Sequence, residues 1–86
     1  MVFAVYILVN EAGTRTYVGQ TGDVQRRLHE HNAGYVRSTR GGGPWKLLHQ
    51  EACGDRAEAM KREKYYKSPA GRKKLRGLVL ERCPSG

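Results

Sequence analysis

A guanidinium and an imidazole occupy positions that packing alone would give to leucine. In "TGDVQRRLHEHN", Thr21 to Asn32, a helical stripe at spacing i, i+3, i+4, i+7 runs Val24, Arg27, Leu28, His31. A second helical stretch repeats the anomaly, with Ala59, Met60, Glu63 and Tyr66 placing a carboxylate on its inward stripe. Two phenols, Tyr6 and Tyr17, come from extended segments nearer the start of the chain. These residue types suit work on a phosphodiester. A guanidinium answers charge on phosphate oxygens with a planar fork of donors. Phenol and imidazole move protons, and a carboxylate holds a hard cation.

Each residue also has a plain packing account. Arg27 could sit at the edge of its helix, His31 could be a satisfied core imidazole, and the tyrosines could be ordinary strand aromatics. Glu63 could pair with Lys67 at i, i+4, which stabilises a helix by only about 0.2–0.5 kcal/mol. A buried carboxylate without a partner would cost several kcal/mol or be forced neutral. Five such residues, all expected to face one sheet surface, are harder to explain as packing.

The elements that must position them follow from local signals. Val2 to Val9 is a continuous β-branched and aromatic run, as in a strand covered on both faces. "NEAG", Asn10 to Gly13, supplies a turn, and Thr14 to Gly19 a second strand. A symmetric hairpin would set Val9 opposite Thr14 and Tyr6 directly opposite Tyr17, about 5 Å apart at Cβ. Asp23 is the expected cap of a helix to about Asn32, with Gly34 as its stop. Gly34 to Pro44 is too glycine-rich to be regular. Trp45 to Glu51 reads as a third strand, and "DRAE", Asp55 to Glu58, as a capping box opening a helix to about Lys67. Ser68 and Pro69 start a last helix with Leu75, Leu78 and Val79 on its apolar side. The expected fold class is α+β, a small three-stranded, mostly antiparallel sheet flanked by helices in the order β-β-α-β-α-α. Residues 1–80 are expected to form a single domain and residues 81–86 a short tail.

The chain has 86 residues, enough for one small domain that buries roughly 60–65% of its unfolded surface. Its 38% hydrophobic and 28% charged content exclude a disordered chain. Cys53 and Cys83 lack metal-ligand or C-x-x-C spacing and read as free thiols in a reducing compartment, with one disulfide between them as the alternative. The apolar opening "MVFAVYILVN" lacks a charged leader and falls far short of the roughly 20 residues of a membrane span. The expectation is a cytoplasmic protein with no membrane partner. Net charge is +8 with pI near 9.9, and its distribution says more than its size. Between Lys61 and Arg76 lie eight basic residues and one acid, a window of +7, and the other seventy residues sum to +1. Such clustering costs self-repulsion, which a nucleic acid relieves. The alternative is a solvated helix face that serves solubility. Candidate backbone contacts are Arg37, Arg40, Lys61, Lys64, Lys67, Arg72, Lys73 and Lys74.

"AVY" at Ala4 to Tyr6, ten residues, "YVG" at Tyr17 to Gly19, then "RRLHEHN" and a later helical "KRE" together resemble the GIY-YIG nuclease family. The likeness is greatest to its small stand-alone bacterial members, which are akin to the catalytic domain of the eukaryotic structure-selective endonuclease that works with a scaffold partner. It spans about Val2 to Val79. One departure is Ala4, where the family's name-giving glycine usually sits. The resemblance implies that Tyr6 and Tyr17 line an active site, with Tyr17 contacting or activating the attacking water. It implies that Arg27 holds the scissile phosphate and that His31 accepts a proton from a tyrosine or orients it. Glu63 would be the sole protein ligand of Mg²⁺ or Mn²⁺.

The implied function is a metal-dependent DNA endonuclease, with branched and single-stranded DNA among its candidate substrates in repair or recombination. Two rivals stand beside it: a nucleic-acid-binding module without turnover, and a nuclease subunit whose specificity a protein partner supplies.

Overall fold

A computed structural model describes residues 2–82 of the chain. Strand β1 (Phe3–Asn10) runs down the middle of a three-stranded antiparallel sheet, between β2 (Thr16–Thr21) and β3 (Trp45–Cys53). Helix α1 (Val24–Asn32) and a short 3₁₀ turn (Arg37–Thr39) precede β3, and α2 (Arg56–Lys67) and α3 (Pro69–Arg82) follow it. The order is β-β-α-β-α-α in an α+β fold, as the sequence patterns indicate.

The continuous apolar run of β1 has the expected reason. Val5, Tyr6, Ile7, Leu8 and Val9 are all buried, because helices cover both faces of the sheet. Val5, Ile7 and Val9 face α2 and α3, in a core with Val18, Leu48, Cys53, Ala59, Tyr66 and Leu75. Tyr6 and Leu8 face the other way, against Trp45, Val24 and Leu28 on the side of α1. The two sides are unequal. The α2–α3 side is a conventional apolar core, and the α1 side is small and partly polar.

The hairpin register differs from the symmetric expectation. Val9 pairs with Thr16, Tyr6 with Gly19 and Leu8 with Tyr17. Asn10 causes the two-residue shift. Its Oδ1 accepts from the N–H groups of both Thr14 and Arg15, and its own N–H donates to the Arg15 carbonyl. Thr14 and Arg15 are thereby held in the turn, and β2 begins at Thr16. A slip of two residues, unlike a slip of one, keeps every side chain on its face. Tyr6 and Tyr17 therefore still share the α1 side, as diagonal neighbours.

Both expected caps form. Asp23 Oδ1 accepts from the Arg26 N–H at the start of α1, and Gly34 ends that helix at φ +83°. Asp55 Oδ1 accepts from the Glu58 N–H, and Glu58 Oε2 accepts from the Gly54 N–H, a reciprocal arrangement one residue wider than a capping box. On α2 the inward stripe is narrower than predicted, because Met60 is 55% exposed and only Ala59 and Tyr66 are buried. Helix α3 continues through Arg82, past the expected start of the tail, and residues 83–86, with Cys83, lie outside the described residues. Cys53 is a buried free thiol. Among the described residues no helix is long and apolar enough to cross a membrane.

Candidate active site

The expectation that five residues share one sheet surface does not hold. Tyr6, Tyr17, Arg27 and His31 lie on the α1 side, and Glu63 comes from α2, which packs on the opposite face. The physical reason is topological. The α1 connection and the α2 connection leave the sheet on different sides, and an inward-facing position on α2 looks at the other core.

The four α1-side residues converge. The Tyr6 hydroxyl lies 2.9 Å from His31 Nε2, deep in the protein, with both side chains 1% exposed. The Tyr17 ring stacks obliquely on His31 at 4.6 Å between centroids and lies 6.1 Å from the Tyr6 ring. Tyr6 is sealed inside, and Tyr17 on edge strand β2 is partly open to solvent. Arg27 donates from Nη1 to Glu30 Oε1 at 2.8 Å, and its charge favours the ionised form of the Tyr6 phenol. Arg26, one residue off the stripe, is exposed.

The electrostatics favour neutral partners at the phenol–imidazole contact. Burial pushes the Tyr6 phenol above the ordinary tyrosine value; Arg27 opposes this, and Tyr17 adds to it. Burial and then the Arg27 charge push His31 below the ordinary histidine value, against a weaker pull from Glu30. Near neutral pH, Tyr6 keeps its proton and His31 is free to receive one. The Tyr6 phenol and then Glu30 raise Arg27 above the ordinary arginine value, and it stays charged.

Glu63 carries the i, i+4 pair foreseen in its packing account: Lys67 Nζ donates to its Oε2 at 2.8 Å. The two accounts are compatible, because Lys67 also lines a groove with Tyr17. This groove, about 720 Å³, runs along the free edge of β2. Thr16, Val18, Tyr66, Leu75 and Val79 help to form it, and Lys67, Arg72 and Arg76 are its cations. Among the other sequence-nominated basic residues, Arg37, Lys61, Lys64, Lys73 and Lys74 are exposed. Arg40 donates from Nε to the Gly34 carbonyl at 3.1 Å and so braces the loop.

Among the described residues no three of His, Cys, Asp or Glu gather into a closed metal cage. A divalent ion bound here would be held openly, by one carboxylate together with water and phosphate oxygens, which suits Mg²⁺ or Mn²⁺. One further oxygen fits such an ion. Gln20 pairs with Val5 and so points from β2 to the α2 side, and its Oε1 is buried with no hydrogen-bond partner.

Three residues escaped sequence reasoning. Gly19 lies opposite Tyr6, where a Cβ would come within 2.7 Å of the phenol oxygen. The "YVG" spelling marked it, but its purpose depends on a register that only the structure gives. Thr39 Oγ1 lies 2.7 Å from His31 Nδ1 and was hidden in the glycine-rich loop. Glu51 is the hub of an ion-paired group on the α2 side. It accepts from Arg62 Nε at 2.9 Å, from the Tyr66 hydroxyl, and from His49 Nε2 at 3.0 Å. Burial alone would raise its carboxyl, but these hydrogen bonds from Arg62, Tyr66 and His49 overrule it and pull the value down to about 2.

Comparison with known proteins bears out the family resemblance and the α+β fold. Residues 2–76 match the GIY-YIG catalytic domain, and the chain belongs to the GIY-YIG family. Among its relatives are small single-domain UPF0213 proteins. One from Halobacterium salinarum is 48% identical over 60 residues, covering 69% of this chain and 77% of the relative. Another, from Halalkalibacterium halodurans, is 41% identical over 81 residues, covering 93% and 85%. The solution NMR structure of a UPF0213 protein from Bacillus halodurans superposes with a TM-score of 0.55 at 37% identity, covering 99% of this chain and 90% of that one.

Proposed function

We propose that this protein is a divalent-metal-dependent DNA endonuclease whose centre lies at the free edge of β2, where Tyr17, with Tyr6, Arg27 and His31 behind it on the α1 side, shares a groove with Lys67, the partner of Glu63 on the α2 side. GIY-YIG membership carries nuclease chemistry in general. The observation that supports the specific reading is the buried contact between Tyr6 and His31, with Tyr17 beside it on a strand that borders a basic groove.

Arg27 meets the non-bridging oxygens of the scissile phosphate, where negative charge grows as water attacks. Tyr17 is the accessible phenol and meets the attacking water. Tyr17 takes the water's proton as it passes its own to Tyr6, and Tyr6 passes its own to His31 Nε2. Each phenol oxygen thus gains one proton as it loses one, and the water oxygen bonds to phosphorus as the bond to the leaving oxygen breaks. A bare phenol with a pKa near 10 is a poor base at neutral pH, and the imidazole behind it supplies the missing driving force. A divalent ion on Glu63 would supply Lewis-acid stabilisation of charge on the leaving oxygen. Lys67, Arg72 and Arg76 grip the backbone alongside, with Arg37, Lys61, Lys64, Lys73 and Lys74 as outer contacts.

Single-stranded, branched, flap and duplex DNA all suit a basic groove of this kind, and a protein partner is the candidate source of further specificity. Labelled single-stranded, duplex, flap and junction DNA should be cut with Mg²⁺ or Mn²⁺ and spared with chelator. Glu63→Ala should bind the same DNA without cutting it. Binding without cleavage by the wild-type protein on all four substrates would instead identify a recognition module.

A further inference from the structure

His31 is wired on both sides, and the second wire has a direction. On one side Nε2 meets the Tyr6 hydroxyl at 2.9 Å. On the other, Nδ1 meets Thr39 Oγ1 at 2.7 Å. The Thr39 hydroxyl also reaches the Val36 carbonyl at 3.3 Å, and the Thr39 N–H meets the same carbonyl at 3.2 Å. Thr39 is 2% exposed, so no bulk water competes for these bonds.

Counting protons selects one arrangement. The Thr39 hydroxyl donates to the Val36 carbonyl, which accepts only. Its oxygen is then left to accept at the 2.7 Å contact with His31 Nδ1, so Nδ1 carries the imidazole proton. A neutral imidazole protonated on Nδ1 has a bare Nε2, which accepts from the Tyr6 hydroxyl at 2.9 Å. All donors face one way, from Tyr6 through His31 and Thr39 to Val36. The opposite tautomer would leave Nδ1 as an acceptor facing a hydroxyl whose proton is already given to Val36.

The loop is built to hold Thr39 still. Trp45 donates from Nε1 to the Thr39 carbonyl at 3.1 Å. Asn32, at the end of the His31 helix, clasps the backbone of Trp45, accepting from its N–H at 2.7 Å and donating to its carbonyl at 2.9 Å. The segment between α1 and β3 is thus tied at its base to the helix that carries His31.

We propose that Thr39 is a positioning residue that fixes His31 in the Nδ1–H tautomer and so keeps Nε2 bare for the proton of Tyr6. Its consequence for catalysis rests on the nuclease reading; the tautomer itself does not. Groups that orient catalytic imidazoles from behind, as around bound metals, typically contribute about 10–100-fold.

The test pairs a spectroscopic with a kinetic readout. Long-range ¹H–¹⁵N spectra of the side chain should show His31 protonated on Nδ1 in the wild type and in Thr39→Ser, which keeps the hydroxyl. Thr39→Val removes the acceptor at constant shape, and should shift the imidazole towards Nε2–H. It should lower kcat about 10–100-fold with KM little changed, and Thr39→Ser should restore turnover. A wild-type His31 protonated on Nε2 would overturn the proposal without any variant. So would a Thr39→Val protein that keeps both the Nδ1–H tautomer and its kcat. If Thr39→Val does not fold, the wild-type and Thr39→Ser spectra decide. If the wild type cuts no DNA but the tautomer pattern holds, the role of Thr39 stands and the nuclease reading alone falls.

Discussion

Tyr6 pairs with Gly19 across the β1–β2 ladder so closely that a Cβ on Gly19 would stand 2.7 Å from Tyr6 Oη and 3.0 Å from Tyr17 Cε1. The glycine is therefore the floor on which both phenols rest, and backbone flexibility is not what it supplies. Gly19→Ala should displace the two rings together. Overpacking of this kind costs about 1–3 kcal/mol, so the variant should melt lower yet remain folded. Its nuclease turnover should fall far more than its stability. A crystal structure or tyrosine NMR shifts unchanged from wild type would refute the close-contact account.

Arg27 should be irreplaceable even by another cation. Arg27→Ala should reduce turnover by roughly 10²–10³, the usual contribution of one preorganised charge stabiliser. Arg27→Lys keeps the charge but loses the planar fork that can face both a phosphate and Tyr6, so it should rescue little. Single-turnover cleavage rates at saturating DNA check this, and near-normal rates for Arg27→Lys would defeat the clamp.

Acid should weaken the fold through Glu51. Its folded value of about 2 lies below the ordinary 4.5, so its stabilising contribution is complete above 4.5 and is lost as pH falls towards 2. Because the carboxylate is 23% exposed, the full contribution is about 2–3 kcal/mol. His31, lowered by burial, acts in the same sense at higher pH: its contribution is present above the ordinary 6.5 and fades below it. Urea unfolding from pH 5 to pH 2 should show a steep loss in the wild type and a shallower one in Glu51→Gln. Equal slopes would remove Glu51 as the cause.

The groove cations should set the salt dependence of DNA binding. Replacing Arg72 and Arg76 together by glutamine should reduce the slope of log K against log salt by about 2 on duplex, since each phosphate left unneutralised lowers it by about 0.9. Charge reversal at Lys73 and Lys74 should also weaken binding. Fluorescence anisotropy from 50 to 300 mM salt gives the slopes, and an unaltered slope for the groove pair would mean DNA runs elsewhere.

The sequence makes local features legible and leaves long-range ones hidden. Caps at Asp23 and Asp55, the stop at Gly34 and the strand of β1 follow from signals within a few residues of each other. The polar anomalies Arg27 and His31 were visible because helical spacing places them on a seam. Register was not visible, because it turned on one side chain, Asn10, whose carboxamide captures two backbone N–H groups. The inward face of α2 was misjudged at Met60 for a similar reason. A helix of twelve residues so rich in charge has almost no amphipathic contrast to read. The Glu51 group and Thr39 depend on partners eight to fifteen residues away, which periodicity does not encode.

The layer between α1 and the sheet is filled with phenol and imidazole where leucine would hold better. That choice ties durability to employment. His31→Leu should yield a silent but hardier molecule, and a lineage released from its chemistry would drift towards such fillings. The tyrosine–histidine contact thus withholds from the α1 layer the packing that a wholly apolar filling would give, and concentrates that loss at one buried pair.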